Sequence, residues 1–171
     1  MLITQATEYA GRCVLYLASQ EPGRIVPSRE IAGAMEIPAA FLAKIAQRLA
    51  RAGIVRIVQG ARGGCQLLVA PRRLTLLAVL EAAEGEIGLN KCVLHPEVCA
   101  RSGYCPIHTV WDEARRVLRE SLGAVNFADL AAAELAAAAR QTRRRSGSEG
   151  RPRTKRQAKG VPNTVFNAAR R

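Results

Sequence analysis

Apolar positions change period twice along the chain, from helical spacing to alternation and back. Between Thr4 and Ser19, the residues Ala6, Tyr9, Ala10, Cys13, Val14 and Leu17 recur every three or four positions. That spacing puts them on one face and predicts a first helix, with Cys13 as a small core residue. The stretch "VPSREIAGAMEIPAAFLAKIAQRLARAGIV" then predicts two short helices around a turn. Ser28 is placed to cap the first, which runs to Met35; "EIP" makes the turn; Phe41, Leu42, Ile45 and Leu49 form the buried stripe of the second, which stops near Gly53.

After Gly53 the period shortens. "IVRIV" and "CQLLV" are β-rich runs separated by "QGARGG", which reads as a hairpin with glycines taking positive φ. Two helices around a tight turn followed by a hairpin make a winged helix-turn-helix. Such a unit lays its second helix in the major groove and turns a cationic wing tip toward phosphates or the minor groove.

Pro71 ends the wing, and "LTLLAVLEAAEG" is a short amphipathic helix with Leu76, Val79, Leu80 and Ala83 facing inward. A cysteine-rich stretch without period follows. From Pro106, a residue suited to the first helical position, Ile107, Val110, Trp111, Ala114, Val117, Leu118 and Leu122 define a helix of about 17 residues. Its apolar surface exceeds what a small winged domain needs, which predicts a dimerisation helix. "FADLAAAELAAAA" adds a short final helix. The expected fold is therefore mostly α with a small β-hairpin wing. Residues 1–85 form the winged helix-turn-helix, 86–105 the cysteine-rich loop, 106–139 the dimerisation helix and the short C-terminal helix, and 140–171 a basic tail.

Charge sets the tail apart. Residues 1–139 hold 15 Lys+Arg against 13 Asp+Glu, whereas residues 140–171 hold 11 against 1. A segment so cationic and so poor in apolar residues repels itself, which predicts disorder and suits a basic arm on nucleic acid or a merely solvated extension. The N-terminus lacks the pattern of a signal peptide, and no run approaches the roughly 18 apolar residues of a membrane span. A cytoplasmic location is expected. Five cysteines, an odd number, then favour metal or redox chemistry over a disulfide framework.

Three of those cysteines and both histidines lie in "CVLHPEVCARSGYCPIH", residues 92 to 108. Cys92, Cys99, Cys105 and His108 form C-x6-C-x5-C-x2-H. Thiolates bind iron or zinc, and Pro96, Ser102 and Gly103 give the loop freedom to wrap a metal. Structural zinc sites usually use C-x2-C pairs, which this stretch lacks, so the spacing favours an iron-sulfur cluster and leaves zinc as the alternative. His95 reads as a solvated loop residue. No phosphate-cradling glycine loop follows a strand, and no motif places a catalytic acid pair, so nothing points to an enzyme.

The run from "SREIAGAMEIPAAFLAKIAQRL" to "LLAVLEAAEG", followed by three spaced cysteines and a long helix, resembles the Rrf-two family of bacterial transcription regulators, with its IscR- and NsrR-like branches. The resemblance covers roughly residues 1 to 135. It implies a winged-helix homodimer that binds double-stranded operator DNA, most simply as a repressor, with a long helix of each subunit crossing its partner. It also implies an iron-sulfur cluster held by Cys92, Cys99 and Cys105 plus a fourth ligand, responsive to redox state, nitric oxide or iron-sulfur status. His108 matches the histidine of the 2Fe-2S members, the favoured reading. Glu8 matches a carboxylate that, in nitric-oxide-sensing members, reaches across from the other subunit to complete a 4Fe-4S cluster. The second reading keeps the DNA-binding module and replaces the cluster by thiol redox, zinc or a partner protein.

At the DNA end the chain departs from the family. Gln59 stands where an Arg commonly precedes the first wing glycine, and Cys65 where a Tyr commonly follows the last, while Arg62 can supply the wing charge. Ala40 and Ala43 occupy positions where IscR-like members carry polar base readers, and alanine can touch a thymine methyl but cannot donate to guanine. Expected contacts are Ser28, Arg29, Ala40, Lys44, Arg48, Gln59 and Arg62, with Gln47 and Arg51 beside them; Arg48 and Arg51 are expected on phosphate or solvent.

Overall fold

The computed structural model describes residues 4–60 and 62–148. The elements in order are α1 (Gln5–Ala18), α2 (Ser28–Ala34), α3 (Ala39–Arg51), β1 (Val55–Val58), β2 (Gly64–Leu67), a 3-10 turn (Pro71–Arg73), α4 (Leu76–Glu84), α5 (Lys91–Leu94), a second 3-10 turn (Pro96–Val98), α6 (Pro106–Gly123) and α7 (Phe127–Ser148). Two compact units divide the chain at Ala137/Ala138, so the later turns of α7 belong to the second.

Helix α1 begins with a capping box: Thr4 accepts from the N–H of Ala6, and the Thr7 hydroxyl accepts from the N–H of Thr4 at 2.9 Å. Its buried face is Thr7, Tyr9, Ala10, Cys13, Val14 and Leu17. In α3 the buried arc is Leu42, Ile45, Ala46 and Leu49, spaced i, i+3, i+4, i+7. Phe41 was expected in that arc but is 44% exposed. It lies about 100° round the helix from Leu42, and its ring meets that of Tyr9 edge-on, with centroids 5.8 Å apart. Ala46 takes its place inside.

Ser28 is not the cap of α2. Pro27 occupies the N-cap position and makes no side-chain capping bond, while Ser28 is the first helical residue. The fixed φ of proline sets the helix entry instead. The turn between α2 and α3 contains Glu36 at φ 53°, a left-handed conformation that costs a residue with a Cβ about 1–2 kcal/mol.

The hairpin pairs Val55 with Leu67, Arg56 with Gln66, Ile57 with Cys65 and Val58 with Gly64, antiparallel. Val26 adds a one-residue bridge to Cys65 on the outer side of β2. One core joins these parts: Val26, Ile31, Leu42, Ile45, Leu49, Val55 and Val79 all bury almost completely, each large one contributing about 1.5–3 kcal/mol.

Phe127 belongs to that core at 1% exposure. The start of α7 is stitched to the start of α4 by the N–H of Leu76 to the Val125 carbonyl (2.9 Å) and the N–H of Phe127 to the Leu74 carbonyl (3.0 Å). The final helix therefore seals the domain. It is also longer than expected, running through Ser148, so residues 140–148 of the expected disordered tail are helical. Residues 149–171, the rest of that tail, lie outside the described residues.

Candidate DNA-binding surface and cysteine loop

Helix α3 shows the solvent a continuous face of Ala40, Ala43, Lys44, Gln47 and Arg51, all exposed. This face is the product of the buried arc opposite: once Leu42, Ile45, Ala46 and Leu49 turn inward, the remaining side chains must face out. Ser28 and Arg29, in the first turn of α2, are exposed as well. At the wing, Gln59 and Arg62 are exposed around a turn closed by the N–H of Gly63 donating to the Gly60 carbonyl at 2.9 Å. Helix face, α2 start and wing tip are thus the exposed polar surfaces of one winged unit.

Arg48 behaves differently from its neighbours. Its guanidinium donates to the carbonyl of Ala83 at the end of α4 and lies 3.9 Å from the Glu84 carboxylate. Helix α4 leaves its last carbonyls without intrahelical partners, and Arg48 satisfies one of them from another helix.

The cysteine stretch is more ordered than an aperiodic sequence suggests. It folds into α5, the second 3-10 turn and successive backbone turns, including Ser102 N–H to Cys99 carbonyl at 3.0 Å and Tyr104 N–H to Arg101 carbonyl at 3.1 Å. The Ser102 hydroxyl donates to the Pro96 carbonyl at 2.8 Å. Cys92, Cys99 and Cys105 are free thiols of intermediate burial. Cys92 Sγ lies 3.6 Å from Asn90 Oδ1, and Cys105 is the N-cap residue of α6. His108 sits in the first turn of that helix, with a buried Nδ1 that has no hydrogen-bond partner among the described residues. His95 is exposed and pairs with Glu97 at 3.3 Å.

Among the described residues, no three His, Cys, Asp or Glu side chains converge in a metal-binding arrangement. The donor chemistry fits an iron-sulfur cluster, in three half-buried thiols and an unsatisfied imidazole nitrogen. Glu8 is elsewhere on the surface, ion-paired with Arg12 one turn along α1. The other two cysteines are core residues. Burial, with the neighbouring Cys65 adding to it, pushes the Cys13 thiol up to about 12, and burial also raises Cys65 against a hydrogen bond from Ser28 that lowers it.

The loop leaves α4 through Gly85, at φ 87°, and is pinned at once. Ile87 donates its N–H to Glu81 at 3.1 Å and accepts from Arg115 Nε at 3.0 Å. Arg119 pairs with Glu81, and Arg115 with Glu86. The pairs that Arg115 and Arg119 of α6 make with Glu81, Glu86 and Ile87 join residues 28 to 38 positions apart, and no local period in the sequence announces them.

No residue of helix α6 is fully buried within the chain. Ile107, Val110, Trp111 and Val117 are 65%, 67%, 41% and 48% exposed. Among the described residues, no helix is long and apolar enough to cross a membrane.

The family model Rrf2, described as an iron-dependent transcriptional regulator, matches residues 3–133. The chain belongs to the Rrf2 family. The HTH-type transcriptional regulator NsrR of Geobacillus kaustophilus is 29% identical over 131 residues, which span 76% of this chain and 89% of the relative. CymR of B. subtilis, a solved structure described as the global cysteine regulator, superimposes with a TM-score of 0.62 at 23% identity over 77% of this chain and 97% of its own. IscR of T. potens gives 0.58 at 21% identity over 76% and 85%. These likenesses make the fold that of the Rrf2 winged-helix regulators. The protein is a DNA-binding transcriptional regulator and not an enzyme. The match of this Rrf2 regulator to its family stops before the basic segment at 140–171.

Proposed function

We propose that this Rrf2 regulator is a homodimeric, operator-binding repressor of the cytoplasm whose affinity for DNA is set by an iron-sulfur cluster on the loop between α4 and α6. The observation that carries this reading is the donor set. Three free, half-buried thiols lie within fourteen residues, and the buried Nδ1 of His108, three positions after Cys105, has no hydrogen-bond partner among the described residues. An imidazole nitrogen buried without a hydrogen bond costs about 1–3 kcal/mol, and metal ligation removes that cost. The family's iron-dependent description supports the same reading.

Cys92, Cys99 and Cys105 would hold the group, with His108 as fourth ligand and a 2Fe-2S cluster favoured. Glu8, with a 4Fe-4S cluster, is the alternative, but its ion pair with Arg12 would have to break. A bound cluster supplies a redox- and ligand-sensitive crosslink. The protein's part is to convert loop closure into a change at α3, because the loop begins where α4 ends and ends where α6 starts. A dimer reads two half-sites about 34 Å apart, so a small change in the separation of its recognition helices weakens specific binding. Ser28, Arg29, Lys44 and Arg62 are the proposed polar contacts, with Ala40 against a thymine methyl and Gln59 beside the wing tip.

A second reading keeps the regulator and drops the cluster: the loop thiols themselves are the redox sensor. Three free, half-buried thiols on one loop, suited to oxidation as well as to metal binding, support it. Purification without oxygen, with absorption spectrum, iron and sulfide content, separates the two. A visible sulfide-to-iron band lost in Cys99→Ala and altered in only one of His108→Ala and Glu8→Ala supports the cluster and names the fourth ligand. A colourless, iron-free protein whose DNA affinity still changes reversibly on thiol oxidation establishes the second reading instead.

A further inference from the structure

Helix α3 packs against α4, and one of its polar side chains also reaches the root of the cysteine loop. Arg48 lies midway along α3, between the exposed Lys44 and Arg51, yet its guanidinium turns to α4 and donates to the Ala83 carbonyl. Its ion-pair partner is one residue on, at 3.9 Å: the carboxylate of Glu84, whose side chain is 16% exposed and whose Oε2 is buried with no hydrogen-bond partner among the described residues. Gly85 follows in a left-handed turn, and Glu86 and Ile87 after it are held by Arg115 of α6.

We propose that Arg48 is a positioning residue rather than a DNA contact: it couples the state of the loop to the seating of α3 by exchanging between the Ala83 carbonyl and the Glu84 carboxylate. Three features support an exchange rather than a fixed strut. The two partners are adjacent in sequence. The ion pair is loose at 3.9 Å. The carboxylate keeps one oxygen unsatisfied in a buried position, where a charged group gains most from a closer partner. Any movement of Gly85 as the loop closes or opens displaces Glu84 first, and Arg48 carries that displacement to the exposed side of α3. The inference rests on the reading that the loop controls DNA binding, though not on whether the loop carries a cluster.

Coupling is reciprocal, so DNA must alter the loop by the same factor by which the loop alters DNA affinity. The test measures alkylation rates of the loop cysteines by N-ethylmaleimide in the full-length protein, with and without a duplex selected from random-sequence DNA by the wild type. In wild type, saturating duplex is expected to change the rate at Cys92 by about fivefold or more. In Arg48→Ala that ratio falls toward one, while the duplex still binds with an unchanged dependence on salt. Glu84→Gln, which keeps the Ala83 bond and removes the charge, gives an intermediate ratio and guards against a variant that fails to fold. An Arg48→Ala protein that keeps the full ratio, or whose log–log salt slope drops by about one as for a lost phosphate contact, overturns the proposal. A wild type in which duplex leaves every loop cysteine unchanged instead overturns the reading beneath it, that the loop and the DNA surface communicate at all.

Discussion

The backbone N–H of Cys65 donates to the Val26 carbonyl at 2.8 Å, and the N–H of Val26 donates back to the Cys65 carbonyl at 2.9 Å. This closed pair ties the wing to the segment that leads into α2. It leaves no room beside it: a Cβ built on Gly64 would stand 2.0 Å from the Val26 carbonyl oxygen. Gly64→Ala is therefore expected to break the bridge and cost about 1–3 kcal/mol, read as a lower denaturation midpoint, with weaker DNA binding as the wing shifts. Gly33→Ala in α2, with open space around it, serves as the control and should be neutral or stabilising by up to about 1 kcal/mol. Equal stability of Gly64→Ala and wild type would remove the bridge from the account of the wing.

Glu36 holds a left-handed backbone in the turn of the helix-turn-helix. Glycine adopts that conformation without the Cβ penalty, and its greater freedom in the unfolded chain offsets part of the gain. Glu36→Gly should raise stability by about 0.5–1 kcal/mol in urea titrations, and a loss of stability would mean that the Glu36 side chain makes a compensating interaction.

Much of this architecture was legible in the sequence because it depends on local period. The buried face of α1, the arc of α3 apart from Phe41, the hairpin and the proline start of α6 all follow from spacing and turn chemistry. Phe127 was not legible: in "FADLAAAELAAAA" its neighbours are alanines, and only the bridge from Asn126 to Thr75 makes it core. Nor was Arg48, since a helix-surface arginine looks the same in sequence whether it faces phosphate or another helix's carbonyl. The three loop cysteines and His108 were singled out by residue type and spacing, but how such a loop arranges its thiols depends on long-range pairs such as Arg115–Ile87, which carry no sequence period.

Cys13 and Cys65 differ from the loop cysteines in access, and this difference is measurable. Under native conditions three thiols should react quickly with a disulfide reagent and two only on unfolding. The same burial sets a pH dependence. The Cys13 thiol rises from an ordinary value of 9.0 to about 12, so between these values the native state keeps a proton that the unfolded state has lost. Stability is full below pH 9 and falls as pH rises toward 12, by up to about 1.4 kcal/mol per unit from this group. Denaturation midpoints measured from pH 8 to 11 should fall less steeply in Cys13→Ala than in wild type. Parallel slopes would show that other groups govern alkaline unfolding.

Val110 and Trp111 on α6 expose apolar side chains along a helix with no fully buried residue in its own chain. A second copy of the helix is the proposed cover. Val110→Arg places a charge at the centre of that face and should yield a monomer by sedimentation, with the far-ultraviolet helix signal preserved. The wild type's single tryptophan, Trp111, should also show a red-shifted emission on dilution through the dimer's dissociation range. A variant that stays dimeric would place the interface elsewhere.

The basic segment beyond residue 139 lies outside the family match, so its effect on DNA binding can be separated from that of the winged unit. Residues 1–139 are nearly balanced in charge, and 140–171 carry 11 Lys+Arg against 1 Asp+Glu. If the segment lies along the backbone, each phosphate it neutralises adds about 0.9 to the log–log dependence of affinity on salt, whatever the sequence. Truncation after Ala139 should then lower that slope by about 3 or more and weaken operator and random duplexes by similar factors, leaving their ratio intact. The loss should be large near 50 mM salt and small near 300 mM, since screening removes the same interaction that truncation does. Overlapping salt plots for the full and truncated chains would show that α3, α2 and the wing account for the whole electrostatic contact.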